Sequence, residues 1–399
     1  MRGLALTSNK RSSILFSASL VGLPLLGVSS LGAQAPSTSV TAGFGVDTAI
    51  ADVHNIFSLV RAYLAKPDSA RSRGLWTEST EFDRDVGDLT ALVTICQGFP
   101  ATVVGVIPAT PNDSAYVVRI LYAQGDSAHG ISPLALQRLY ALRDRGAPFG
   151  FKLSGALPRM TESWDRRTNG RITFWYSPGT KPNQAKIERS ARFVDSVARL
   201  FDVPPPKHLD VYVGPSMDEV DRAIGLDFYP EPSGPGQRSG GRDFGSILLV
   251  GNPEIGEAYL HEFVHAVLGP QIHPGNHLLN EGVATWLGGS RGHTPAQMYA
   301  LVRGYQTADS TLTLSGLMRA DFRDDDAIRA ADLLYGSGAL VANAVYRKRG
   351  IAGVLRLYRA TGDADAILRA IAAELSLPTN DPTAIDRWWR EEAARAARF

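Results

Sequence analysis

Residues His261 to Trp286 read HEFVHAVLGPQIHPGNHLLNEGVATW and hold four of the chain's eight histidines. No other stretch limits the fold so tightly. Ahead of it, Asn252-Pro253 is a good N-cap followed by proline at the first helical position, and Gly269-Pro270 is a matching stop. Between them the signals predict a helix of about 16 residues. Leu260, Phe263, Val264 and Val267 make it apolar enough to be buried, where two unpartnered imidazoles are costly. His261 and His265 are four apart, so they emerge one turn apart and about 40° round the axis, and both rings can converge on one ion. Glu262 projects about 100° from His261, placed to hold a water rather than the metal. H-E-x-x-H on a helix is what a zinc hydrolase requires. The competing reading is a pair of core histidines hydrogen-bonded to carboxylates.

A catalytic zinc takes three protein ligands. His273 and His277 qualify by type. Glu281 opens a second short apolar stretch, EGVATWLGG, closed by Gly288, and PQIHPGNH supplies the reversal between the two helices. A carboxylate on the following helix can reach an ion held by the first, so Glu281 is preferred, leaving His273 and His277 as loop residues lining the cleft. The pattern H-E-x-x-H-x-x-G-x-x-H is excluded, because Leu268 and Gln271 stand where it needs glycine and histidine.

HEFVHAVLG…LLNEGVATWL is similar to the gluzincin metallopeptidases, particularly the compact peptidase MA-like group related to thermolysin and the zinc aminopeptidases. The matching residues are His261, Glu262, His265, Asn280, Glu281, Gly282 and Trp286. The resemblance implies one zinc ion (Zn2+) on His261, His265 and Glu281, Glu262 as general base, and a peptide or protein substrate. ITFWYSPG, LDVYVGPSMDEV and SILLVG resemble the strands that precede the motif in that group. LLYGSGALVANAVYRKRG resembles the later helix that supplies a transition-state tyrosine, with Tyr335 at the matching position. The bland alternative for Tyr335 is a core aromatic beside Leu333 and Leu334; Tyr299, Tyr305 and Tyr358 are less well placed. Two departures stand out. The gap between His265 and Glu281 is 15 residues, against roughly 18 or 19 in the best-known gluzincins. The Gly-x-Met-Glu-Asn exopeptidase motif is missing, so aminopeptidase specificity is not implied. Two other functions stay open: a non-catalytic exported binding protein with a structural or relic zinc site, and a zinc hydrolase of non-peptide amides or esters.

Around this segment the chain reads as α+β. Residues 46–160 are expected to form a small α+β domain, on element order an NTF2-like one: a helix from Asp47, strands ATVVGVIP and AYVVRILYAQ joined by a turn, then a helix near Pro133–Arg145. The polar segment Arg159–Arg171 is expected to be the boundary. Residues 170–399 should be a zincin-like domain with a mixed sheet and a mostly helical C-terminal part. Tyr229–Gly245 is rich in glycine and proline and reads as a loop; it lacks a Gly-Lys-Ser/Thr ending and is no phosphate cradle. SILLVG offers an edge along which an extended peptide could pair, with that loop as its cover.

Composition sets the remaining limits. The first 35 residues have the build of a signal peptide: Arg2, Lys10 and Arg11, the apolar run Ile14–Gly27, then LGAQAPS. Residues 36–45 form a spacer. Subtracting the leader's three basic residues from the formal charge of +1 leaves −2, which gives no case for nucleic acid. No later segment approaches a membrane span, so an exported, periplasmic or extracellular protein without stable membrane association is expected. Cys96 is the single cysteine, so no internal disulfide forms and the cores must carry stability. Oligomeric state has no signature in the sequence.

Overall fold

The computed structural model describes residues 39–65, 74–77, 96, 99–126, 130–229, 240–319, 327–378, 381 and 383–398. The leader, the start of the spacer and most of the 229–245 loop lie outside the described residues. The protein is α+β, with two mixed sheets and a helical C-terminal part. Its described residues fall into two compact units, one ending at Gln271 and the other beginning at Ile272. No described helix is long and apolar enough to cross a membrane.

The first unit opens with β1 (Val40–Ala42), inside the expected spacer, and α1 (Ala51–Ala65). Next come β2 (Ala101–Pro108), β3 (Ala115–Asp126), β4 (Gly130–Arg143) and β5 (Phe151–Ser154). They form a sheet in the order β1-β2-β3-β4-β5. Helix α1 buries Ile56, Leu59, Val60 and Leu64 in one core with Val103, Val118, Ile120 and Leu139. Asp52 fixes its outer end, accepting from the Tyr116 hydroxyl at 2.9 Å and from Arg143. The Arg143 guanidinium holds the Asp52 carboxyl below its usual range.

The helix expected near Pro133–Arg145 is strand β4. Leucine, alanine, glutamine and arginine are good helix formers, and Gln137 interrupts the apolar alternation that would have announced a strand. In the sheet Ala135, Gln137, Leu139 and Ala141 share the buried face. Gln137 is tolerated there because the Tyr122 hydroxyl donates to its carbonyl at 3.1 Å. The polar segment Arg159–Arg171 likewise holds strand β6 (Asp165–Asn169), a hairpin partner of β7 (Ile172–Tyr176).

After β7 come α2 (Gln184–Phe201), β8 (Leu209–Val213), α3 (Met217–Ala223), β9 (Leu226–Phe228), β10 (Gly241–Asp243) and β11 (Ile247–Val250). Asn183 caps α2, accepting from the Lys186 amide. The second sheet has the order β10-β11-β8-β7-β6, with β7, β8 and β11 parallel. Every residue of β8 and β11 is buried, which is why β11 reads as an unbroken apolar run and β8 as one broken only by Asp210, which accepts from Trp175 Nε1 at 3.0 Å. Strand β9 leaves this sheet to pair with β4, and Tyr212, Met217, Val220 and Leu249 join the same core as α1.

SILLVG therefore does not supply a sheet edge. Strand β10 pairs antiparallel with β11 on its outer side, so the last residues of the expected loop take the position reserved for an extended ligand.

In the second unit α5 (His277–Gly288), α6 (Pro295–Ala308), α7 (Leu314–Arg319), α8 (Ala327–Tyr358), α9 (Ala364–Glu374) and α10 (Ala384–Ala396) follow one another. Helix α8 is broken at Gly350, whose φ of 65° is open to glycine at little cost. Helices α5 and α8 meet backbone to backbone. A Cβ at Gly282 would lie 2.4 Å from the Gly338 carbonyl carbon, and one at Gly338 would lie 2.2 Å from the Leu278 carbonyl oxygen. The Trp389 ring of α10 is fully buried and donates to Ser337 Oγ at 3.1 Å.

Candidate metal centre

His261, Glu262 and His265 lie on α4 (Leu260–Leu268), all nine residues of which are buried. The helix is shorter than the capping signals predict. Asn252 does accept from backbone amides, those of Glu254 and Ile255, but it caps a turn. Gly256 then takes a φ of 53°, and the chain passes through one 3-10 turn before α4 begins. This approach is pinned to the rest of the unit. The Glu257 carboxylate accepts from the Asn183 amide at 2.6 Å and the Tyr176 hydroxyl at 3.0 Å, while Ser190 Oγ donates to the Glu257 carbonyl at 2.7 Å. Burial, and then the neighbouring Glu257 charge, push the Tyr176 hydroxyl well above its ordinary pKa. The entry angle of α4 is thus set by β7 and α2.

The two imidazoles face each other. Their Nε2 atoms are 3.2 Å apart and their planes cross at 71°. Two nitrogens bound tetrahedrally to zinc at 2.0–2.1 Å must lie about 3.3 Å apart. The observed spacing already meets that requirement; it also suits an N–H···N bond with one ring as donor. Both rings are at most 4% exposed. Glu262 is 7% exposed, and among the described residues no hydrogen-bond donor is committed to its carboxylate, which leaves it available to accept a proton.

Glu281 lies on α5, which starts four residues earlier than its apolar run suggests because Asn276 caps it, accepting from the Leu279 amide at 2.9 Å. His277 is therefore the first residue of a helix and not a loop residue. It is half exposed, and His273 is exposed, whereas Glu281 is 2% exposed. The Asn280 amide donates to Glu281 Oε1 at 3.2 Å, and His277 Nδ1 stands 3.8 Å from the same oxygen. Buried imidazole and carboxylate groups of His261, His265 and Glu281 are a donor set of the kind catalytic zinc uses.

Tyr335, on α8, is only partly buried, and its ring stands 6.5 Å from that of His277 in an edge-on arrangement. The other three candidate tyrosines have surroundings of their own. Tyr305 donates to Asp332 at 3.0 Å, and burial pushes the Tyr299 hydroxyl up to about 12. Tyr358 is buried and donates to the Asn280 carbonyl at 2.9 Å. No sequence signal led to Tyr358, because it lies 78 residues from Asn280 and its own helix turn looks like ordinary core.

No protein-family model matches the chain, and no curated protein matches it. Among solved structures it is similar to an M1 zinc metallopeptidase from Deinococcus radiodurans, with 17% identity and a TM-score of 0.34 over 75% of this chain and 63% of that one. It is also similar to a two-domain M1 zinc metallopeptidase mutant bound to L-tryptophan, with 16% identity and a TM-score of 0.35 over the same shares. The chain thus spans less than two thirds of the length of the structures it matches.

Proposed function

We propose that this chain is a zinc-dependent hydrolase of peptide bonds, with one zinc ion on His261, His265 and Glu281 and with Glu262 as the general base. The observation that carries this reading is the buried pair of Nε2 atoms 3.2 Å apart on α4, the spacing that tetrahedral zinc demands. Glu281 suits the third position because it is a buried carboxylate held by an amide donor, and a charge so placed is expected to have a cation as partner. When bound, zinc lowers the pKa of water to about 7 and polarises a carbonyl oxygen. The chain's own residues then act as follows. Glu262 accepts the proton of the attacking water and returns it to the departing amine. The Tyr335 hydroxyl donates to the oxygen on which charge develops; its partial exposure beside His277 supports that role over a place in the core. For the expected 46–160 domain, helix α1 and the antiparallel strands β2 to β5 are in keeping with an NTF2-like unit.

The test pairs metal analysis with a peptide-cleavage screen on wild type and Glu262→Gln. One zinc per chain is expected in both, with cleavage by the wild type and a loss of at least about 10²–10⁴-fold in the variant. Zinc without cleavage in either protein would favour a binding role, and unchanged turnover in Glu262→Gln would remove Glu262 from the mechanism.

A further inference from the structure

Residues Leu357–Ala360 hold α5 at three points, and the third leads to Glu281. The carbonyl of Tyr358 accepts from the Gly275 amide at 2.7 Å. The Asn276 side-chain amide donates to the carbonyls of Leu357 and Ala360, each at 3.0 Å, while its oxygen caps α5. One turn further on, the Tyr358 hydroxyl donates to Asn280 Oδ1 at 2.9 Å, and Asn280 Nδ2 donates to Glu281 Oε1 at 3.2 Å. All of these side chains except Asn276 are buried.

We infer that Tyr358 is a positioning residue for the metal centre, acting through Asn280 to orient the Glu281 carboxylate. The inference rests on the reading of Glu281 as a zinc ligand. The chemistry has a fixed direction. A phenol can give its hydrogen to the Asn280 carbonyl, which leaves the Asn280 amide nitrogen turned toward Glu281 and able only to donate. A flipped Asn280 would set its carbonyl against the acceptor-only carboxylate and lose that contact, so Glu281 fixes the direction and the Tyr358 hydroxyl is left to donate. Tyr358 therefore braces Asn280 in the orientation in which one oxygen of Glu281 carries a hydrogen bond. Partners that orient a metal-binding carboxylate in this way are typically worth 10–100-fold in metal affinity. Tyr358 also sits just past the Gly350 break, so the segment that reads the position of α5 is separate from the segment of α8 that packs on Gly282.

The experiment measures zinc affinity by competition with a chromophoric chelator for wild type, Tyr358→Phe, Asn280→Ala, the double variant and Glu281→Gln. Circular dichroism of the metal-free proteins shows that each is folded. Tyr358→Phe keeps the ring in the core and removes only the hydroxyl. It is expected to weaken zinc binding about 10-fold and Asn280→Ala by 10-fold or more, and the double variant should bind no more weakly than Asn280→Ala alone. That non-additivity is a signature that lost core packing would not produce. Wild-type affinity in Tyr358→Phe, with binding lost in Glu281→Gln, overturns the relay and leaves the metal assignment standing; so does a double variant in which the two losses add. Wild-type affinity in Glu281→Gln overturns the metal assignment and the relay with it.

Discussion

Replacing Gly338 by alanine tests how α5, and with it Glu281, is held. The added methyl would lie 2.2 Å from the Leu278 carbonyl oxygen and 2.7 Å from the Gly282 Cα. Ordinary contact begins near 3.4 Å, so the first contact is short by about 1.2 Å. Both neighbours are backbone and no rotamer change relieves the clash, so α5 and α8 must part by roughly 1 Å, and close-packed interiors resist such a shift. Overpacking of this kind costs about 3 kcal/mol at the upper end of the usual range. The better helix propensity of alanine offsets about 1 kcal/mol, leaving a net loss of about 2 kcal/mol. This corresponds to a drop of about 4–8 °C in Tm. Gly304, in α6, is the control: a Cβ there meets nothing within 4 Å, so Gly304→Ala should stabilise by up to about 1 kcal/mol. Urea unfolding followed by circular dichroism, with scanning calorimetry, reads both variants. Because α5 carries Glu281, Gly338→Ala should also weaken zinc binding, whereas Gly304→Ala should not. A Gly338→Ala protein that melts with or above the wild type would show that the two helices do not need this close approach.

Asn276→Ala removes the α5 cap together with the two bonds to Leu357 and Ala360; a loss of about 2 kcal/mol in urea unfolding is expected, and a loss under 0.5 kcal/mol would contradict that account. Burial alone would raise the Glu392 carboxyl, but the guanidinium groups of Arg395 and Arg347 outweigh it and hold the carboxyl below its ordinary value of 4.5. A depressed carboxyl contributes stability above its unfolded pKa and loses it as pH falls through the folded one. Glu392→Gln should therefore be less stable than wild type by about 1–2 kcal/mol at pH 7, with the gap closing as pH falls below 4.5. A gap unchanged at about pH 3 would mean that charge is not its source.

Much of the local structure was legible because its causes are local. The helix α1 and the strands β7, β8 and β11 each follow from residues a few positions apart. The helical spacing that sets His261 against His265 is of the same kind. Where the cause lies far along the chain, the reading failed. Strand β4 reads as a helix because Gln137 becomes acceptable on a buried face only once the Tyr122 hydroxyl reaches it from the neighbouring strand. Strand β10 reads as loop because its reason to extend is pairing with β11.

The residue types at 261, 262, 265 and 281, and the helix that turns the two histidines to one side, were determined by the sequence alone, since a periodicity of 3.6 residues needs no partner to act. Tertiary structure alone decided that the imidazole nitrogens stand 3.2 Å apart on a buried helix pinned by Glu257. It also decided that Asn280 and Tyr358, 78 residues apart, stand behind Glu281. Orientation at a metal centre depends on groups brought together by packing, and no spacing along the chain encodes which distant side chain will arrive.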